Sequence, residues 1–519
     1  MNRKNLVLAA MVFAVAMTFI DQTIVAIGIP NIEKELGITA NQSQWVINAY
    51  LLALSALFAF GGKLADVVGR RRMCVIGVIG FAVASLCCGL TPKGDAAAAW
   101  IIAFRAIQGV FAALMFPAAV GIIVAVFPKQ ERGKAMAAFF GITGGLTSVG
   151  PIAGGFLVQW TWRSIFWINI PVAIIALILI RMSKPDNTRY PSGIDVRGAG
   201  LVTAAMALLV LGLQQSSQWG WNSAGTVGCI VAGLIVGLAF LAWELRTEEP
   251  LLNLRIFADR GFGAENAVLA LMSVVFVPFF FFASVYSQAA LGKSASQAGL
   301  YILYFFIGFV ILAQIGGRIL DRSGPWVPVV VGPIISAVGF YLLAGKLTDL
   351  NLGAQSFYIA VAGGGIGLML GVASTDAVNR APRSGYSEVT GITQTSRNFG
   401  ATLGLAILGA ILLSREKINV ASSLVKAGVP APAAHQAAAS IGTRAGAAHS
   451  AAGQSKQVTH AVQLAFAHST QTIFYIMAGV MAATFLVALI WLPRTPATQA
   501  GEEAVPLDRG DIEPAMAVK

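Results

Sequence analysis

The chain has 519 residues, of which 57% are hydrophobic and 11% charged, and its mean hydropathy is +0.75; a soluble globular chain carries about 25% charged residues. A soluble fold of this length needs a charged exterior that these residues cannot supply, so soluble enzymes and soluble binding modules are excluded. The net charge of +12 comes largely from Lys and Arg in short loops between apolar runs, which is a topology signal and not a nucleic-acid footprint.

Apolar stretches of about 20 residues, the length that crosses a ~30 Å hydrocarbon core, occur near 6–29, 45–65, 73–91, 98–118, 135–158, 165–182, 197–214, 225–243, 263–288, 297–320, 327–345, 356–375, 391–413 and 470–492. They predict an all-α polytopic membrane protein with 14 transmembrane helices. Arg3 and Lys4 imitate the start of a signal peptide, but the run behind them continues through Asp21 to Ile29, so it is read as an uncleaved first span. Most of the 35 Lys and Arg residues fall on one side of this topology, which places both termini in the cytoplasm. Cys74, Cys87, Cys88 and Cys229 lie in or beside spans and are read as buried thiols with no metal-ligand spacing.

Charges inside a bilayer are costly enough to mark function. Counted along span 1, Asp21 lies roughly 22 Å above the inner boundary. Arg105 in span 4, which runs the other way, lies about 20 Å above it. A carboxylate and an arginine at one depth form either a static ion pair or a proton switch, and the switch reading is favoured here.

Between spans 2 and 3, Gly62, Lys63, Asp66, Gly69 and Arg70-Arg71-Arg72 form a tight basic loop, with glycines for the sharp turn and Asp66 as a Coulombic latch. Span 5 carries Gly145, Gly150, Pro151, Gly154 and Gly155, whose spacing permits close helix approach and a kink. In span 9 the run Phe276-Val277-Pro278-Phe279-Phe280-Phe281-Phe282, with Tyr286, supplies rings of which most are expected to face lipid and some a cavity suited to lipophilic cations. Gln22, Trp45, Asn48, Tyr50, Gln108, Phe111, Met115, Phe279, Phe282 and Tyr286 are candidates for lining the substrate cavity.

Glu265, Asp376 and Glu388 lie near the inner ends of spans 9, 12 and 13 and are read chiefly as interfacial charges, with Glu265 the one to test as a second proton site. Arg397, in span 13, is a further cavity candidate that either pairs with one of these acids or binds an anionic group. The Ala-rich outer segment 415–468 holds His435, His449, His460 and His468, which read as incidental to an amphipathic hairpin. No Walker A sequence, zinc motif or nucleophile elbow occurs, so neither ATP drive, catalysis nor a cofactor is expected.

The loop is copied. Gly62-Lys63-Leu64-Ala65-Asp66-Val67-Val68-Gly69 returns as Gly317-Arg318-Ile319-Leu320-Asp321-Arg322-Ser323-Gly324, eight spans later. The offset is that of two pseudo-symmetric six-helix bundles with spans 7 and 8 inserted between them, an architecture of transporters. The expected units are 1–188 for the first bundle, 189–258 for the inserted pair, 259–492 for the second bundle and 493–519 for a cytoplasmic tail.

Asp21-Gln22-Thr23-Ile24-Val25 with Pro30, Trp45 to Tyr50, the 62–72 loop, Arg105-Ala106-Ile107-Gln108-Gly109, Gly150 to Gly155 and Trp162 to Pro171 together resemble the fourteen-span drug:proton antiporters of the major facilitator superfamily. The resemblance covers nearly the whole chain. It implies an inner-membrane multidrug exporter driven by the proton gradient, taking small lipophilic, often cationic, compounds, of which monovalent cations or neutral compounds are favoured; the partners expected are protons and the lipid bilayer, with no nucleic acid, and the chain is expected to be a monomer. By resemblance, proton coupling falls on Asp21 and Arg105, gating on Asp66, and antiport on Gly150-Pro151. One departure is the lack of acids near the midplane of spans 9–14, which argues against dicationic substrates. The rival reading is a dedicated exporter of one antibiotic or metabolite, and a channel or membrane-embedded enzyme is a weaker one.

Overall fold

The computed structural model describes residues 3–127, 135, 138–139, 142–143, 146, 149–185, 187, 193, 195–248, 250–252, 254–380, 386–426, 428–441 and 456–494. Gly145, His449 and all of the tail beyond Arg494 therefore lie outside the described residues, as do the side chains of Pro151, Asp321 and Glu388.

The described chain is helical: α1 (Arg3–Leu36), α2 (Ala40–Val68), α3 (Arg70–Gly89), α4 (Ala97–Val126), α5 (Val149–Trp160), α6 (Ser164–Trp167), α7 (Asn169–Ser183), α8 (Val196–Trp219) and α9 (Ala224–Glu244) are followed by α10 (Arg260–Ala289), α11 (Ala295–Ser323), α12 (Trp326–Lys346), α13 (Leu352–Asn379), α14 (Tyr386–Lys426), α15 (Ala431–Ile441) and α16 (Lys456–Trp491). Thirteen candidate spans among the described residues are long and apolar enough to cross a membrane, α6 and α7 together making one of them. The fourteenth expected span, 135–158, is described as a helix only from Val149 onward, as α5.

Local chemistry sets the helix starts. Thr39 and Ser294 close capping boxes with Gln42 and Gln297, and Asp195, Ser223 and Asp259 cap α8, α9 and α10 with their side chains. The turn from α2 to α3 passes through Gly69 at φ 117°, a conformation open to glycine.

The packing repeats with the offset read from the loop motif. α2 packs on α4 and α3 on α4, as α11 packs on α13 and α12 on α13; α1 meets α5 and α7, as α10 meets α14 and α16. Between membrane helices there is no water to expel, so association depends on close van der Waals contact and on small residues that allow it. A Cβ on Gly61 would strike the Ala113 carbonyl of α4, one on Gly109 the Tyr50 carbonyl of α2, and one on Gly308 the Ala360 carbonyl of α13.

The inserted pair is joined to the rest through α8. Asn48 Nδ2 donates to Gln214 Oε1 at 2.6 Å, Gln214 Nε2 to the Asn41 carbonyl at 3.2 Å, and Asn41 Nδ2 to the Gln214 carbonyl at 3.1 Å. All three side chains are buried. α8 also packs on α14, so it touches an early and a late helix at once.

The phenylalanines of span 9 depart from expectation. Phe276, Phe279, Phe280, Phe281 and Phe282 are all buried, and Phe279 stacks on Phe305 at 4.5 Å and meets Phe340 and Phe474. A membrane helix that contacts α1, α11, α13, α14 and α16 has little circumference left for lipid, so these rings form the core of the later helices.

A close helix crossing is sensitive to one methyl group. Gly308→Ala should lower the thermal midpoint of the solubilised protein, overpacking costing about 1–3 kcal/mol, whereas Gly371→Ala, where a Cβ meets open space, should not; fluorescence-monitored melting of both variants checks this.

Candidate functional site

Asp21 of α1 and Arg105 of α4 meet. Arg105 Nη1 donates to Asp21 Oδ2 at 2.5 Å, Gln108 Nε2 donates to Asp21 Oδ1 at 3.1 Å, and Arg105 Nη1 also reaches Gln108 Oε1 at 2.7 Å. Asp21 and Gln108 are 0% exposed and Arg105 1%. The i, i+3 spacing of Arg105 and Gln108 puts both on one face of α4, where each holds one oxygen of the same carboxylate. Gly109 beside them lets α4 approach α2, and there Arg105 Nε donates to the Val46 carbonyl at 2.8 Å while its guanidinium lies 4.3 Å from the centre of the Tyr50 ring.

The geometry allows a proton switch. Protonating Asp21 removes one of two opposite charges, and Arg105 is then still held by the Val46 carbonyl, the Gln108 amide and the Tyr50 ring face. An arginine with such secondary anchors survives loss of its counter-charge, while α1 is released from its strongest tie to α4.

α5 lies against the same turn of α1. A Cβ on Gly150 would strike Thr23 Oγ1 and the Ile20 carbonyl, and one on Gly154 would press on Ile24; Gly150, Gly154 and Gly155 are all buried. The glycine face of span 5 thus packs on the residues that flank Asp21.

A narrow cavity of about 10 Å³, room for a single water, lies against the turn of α1 that carries Asp21, bounded by Thr18, Phe19 and Gln22 of α1, Leu54 and Phe58 of α2, and Phe116 of α4. Gln394, Arg397 and Asn398 of α14 close its far side. Of the cavity candidates named from the sequence, Gln22 and Arg397 line it. Tyr50 and Gln108 belong to the Asp21 network, and Asn48 is turned to Gln214 of α8. Phe111 and Met115 lie over Gly80 and Gly77 of α3, Phe279 and Phe282 are in the aromatic core, and the Tyr286 hydroxyl donates to the Leu347 carbonyl at 2.6 Å. Trp45 is half-buried outside the cleft lining. Thr18, Phe19, Leu54, Phe58, Phe116, Gln394 and Asn398 were missed because composition along one helix does not tell which face meets a distant one. The only available signal was the alignment of Thr18 and Gln22, at i and i+4, around Asp21.

Arg397 does not pair with an acid. Its Nη1 donates to Gln394 Oε1 at 2.8 Å, and its buried Nε has no partner. Asp376 is taken by Arg380 Nε at 2.6 Å, with Asp259 3.8 Å from the same guanidinium. Glu265 is fully buried, not interfacial, and its carboxyl lies against that of Asp376. It sits with Asp376 because α10 packs on α13 at this end.

The basic loop is tied down at its first arginine. Asp66 Oδ1 accepts from Arg70 Nε at 2.7 Å, and Arg70 Nη1 donates to the Gly121 carbonyl near the end of α4 at 3.0 Å. Gly62 faces Pro117 of α4, the Arg72 amide donates to Asn187 Oδ1 at 3.3 Å, and Arg71 is half-buried. At the opposite ends of the helices, Glu35 accepts from Trp162 Nε1 at 2.9 Å and lies 3.4 Å from both Arg163 and Lys93. Among the described residues no group of three or more His, Cys, Asp or Glu could hold a metal ion.

Membrane-crossing helices in a repeated packing, with a buried ion pair at mid-depth beside a cleft between early and late helices, define a carrier of the alternating-access kind. The chain belongs to the Major Facilitator Superfamily, whose family model matches residues 11–405. It is 34% identical over 436 residues to the tetracenomycin C resistance and export protein of Streptomyces glaucescens, covering 83% of this chain and 80% of that one. It is 29% identical to the multidrug transporter protein MdtP of Bacillus subtilis, covering 82% and 78%, and 31% identical to the cephamycin export protein CmcT of Amycolatopsis lactamdurans, covering 75% and 81%. Among solved structures, a bacterial homologue of the human lysosomal transporter Spinster, in an inward-facing unoccupied conformation, superposes with a TM-score of 0.66 at 18% identity, covering 95% and 98%. The family is one of transporters.

Breaking one side of a buried pair leaves an uncompensated charge. Arg105→Gln should therefore destabilise the protein by about 3–5 kcal/mol, and the double variant Asp21→Asn/Arg105→Gln should recover a large part of that loss. Denaturation midpoints of the two single variants and the double variant close the cycle.

Proposed function

We propose that the protein exports lipophilic drugs or toxic compounds across the cytoplasmic membrane by alternating access, with inward proton movement through Asp21 as the drive. The buried Asp21–Arg105–Gln108 network beside the cleft carries this reading, because it gives one carboxylate both a proton to exchange and a way to report its state. Names of related exporters support it: relatives are described as exporting tetracenomycin C and cephamycin, and as a multidrug transporter.

In this mechanism Asp21 protonates from the outside, loosens from Arg105, and lets α1 and α5 shift together through their Gly150 and Gly154 contacts. Release of the proton inward restores the pair. The Asp66–Arg70–Gly121 tie braces the inner ends of α2, α3 and α4, while Gln288 Nε2 to the Ile27 carbonyl at 3.4 Å and the approach of Gln44 to Gly409 join the outer ends of early and late helices. The reading includes a monomer with both termini in the cytoplasm and two six-helix bundles that rock about the cleft, with α8 and α9 as added helices. It needs no cofactor beyond the proton gradient. Glu265 beside Asp376 is the place for a second proton.

A dedicated exporter of one antibiotic or metabolite is the second reading, favoured by the single-compound names among the relatives. Everted vesicles given an imposed pH gradient and a panel of unrelated dyes separate the two: several dyes moved means a multidrug carrier, one or none a dedicated one. In either case Asp21→Asn should reduce gradient-driven transport at least tenfold while leaving the protein folded, and undiminished gradient-driven transport by that variant would refute the proton role.

A further inference from the structure

We propose that this narrow cavity, closed here to all but a water and widened when the early helices part from α14, takes aromatic compounds that carry a negative charge, held by Arg397; this rests on the export reading and assigns its substrate class. The family resemblance pointed to cations, and the geometry points the other way. Arg397 is the one charged side chain among the cleft-lining residues, and it lies within 4 Å of no acid among the described residues. Asp21, the nearest acid in sequence to the cleft lining, is engaged by Arg105 and Gln108. An arginine remains charged in proteins, and holding one within a membrane is costly unless something repays it. Its Nη1 is bound to a neutral amide and its Nε to nothing, so the missing counter-charge belongs to the ligand.

The opposite wall specifies the rest of the molecule. Phe19 and Phe58 flank Phe116 with ring centroids 5.8 Å and 5.2 Å away, an apolar face for a planar ring system. Gln22, Gln394 and Asn398 line the same cavity, with the Gln394 amide oxygen bound to Arg397 and the Asn398 amide nitrogen to the Gln394 carbonyl, which leaves further amide groups for a ligand. A carboxylate, phenolate or enolate on an aromatic framework satisfies all three features; a cation of the same shape meets repulsion from Arg397 and no carboxylate to offset it. Gln22 follows Asp21 directly, so a ligand seated here presses on the turn of α1 that carries the proton switch.

Fluorescein and rhodamine 123 test this, since they share a xanthene ring system and carry opposite charge. Their binding to the purified protein in phosphatidylcholine nanodiscs is read by fluorescence anisotropy, and their gradient-driven flux in proteoliposomes. Fluorescein should bind at least tenfold more tightly than rhodamine 123. Arg397→Gln should weaken fluorescein at least tenfold and leave rhodamine 123 unchanged or tighter, while Arg397→Lys, which keeps the charge and guards against a folding artefact, should retain most of the fluorescein affinity. Adding phosphatidylglycerol to the nanodiscs should not compete; competition would assign the arginine to a lipid headgroup and overturn the proposal. Tighter binding of rhodamine 123, binding of neither dye, or fluorescein affinity indifferent to Arg397→Gln would overturn it too. Fluorescein binding without gradient-driven flux would instead refute the export reading and leave the anionic site standing.

Discussion

A carboxylate placed in the middle of a membrane has to be matched, and much of the described structure follows from matching Asp21. Water is absent there, so its two oxygens need protein donors, and a single arginine with one amide supplies them. That need brings α1 onto α4 and uses Gly109 to seat α4 on α2, which offers the Val46 carbonyl and the Tyr50 ring to the remaining guanidinium faces. The pair is also the least inert part of the fold. An ion pair is weakened by protonating its carboxylate, whereas glycine crossings and aromatic packing carry no such dependence.

The same fold places a second, unmatched charge a short way across the cleft. Asp21 and Arg105 neutralise one another; Arg397 has an amide and an open face. Arg105 is bound to Asp21, and Arg397 lines the cavity together with Thr18 and Gln22 of the same turn of α1. In the proposed mechanism, coupling between proton and cargo requires no long pathway, because both would act on one turn of α1. The later helices supply rigidity: Phe276, Phe279 and Phe280 lock with Phe305 and Phe306 into a core that leaves α14 to carry the polar residues of the cleft.

Much of this was legible in the sequence. Hydropathy located the thirteen spans found among the described residues, and counting along antiparallel helices put Asp21 and Arg105 at one depth. The copied loop at Gly62 and Gly317 foretold a packing that repeats with an offset of eight spans. What the sequence concealed was rotation. Phe111 and Met115 share a face of α4 with no mark of which neighbour it meets, and only the glycines at Gly77 and Gly80 of α3 decide it. The phenylalanines of α10 were expected at the lipid because a ring is at home there; the number of helices packed around α10 puts them inside. A position near a helix end reads as interfacial for Glu265, yet it is fully buried where α10 packs on α13. Asn48 was expected to face substrate and instead holds Gln214, a contact between segments far apart in the chain that no local pattern announces.

In the proposed mechanism, protonation of Asp21 changes how the early helices sit against the late ones. Spin labels at Arg72 and Arg322, exposed residues in the two copied loops, report that arrangement in a background with the four native cysteines replaced. Pulsed electron–electron distance measurement between acidic and alkaline buffer should show two distance populations exchanging in the parent protein and one fixed population in Asp21→Asn. A variant that still exchanges populations with pH as the parent does would contradict the account.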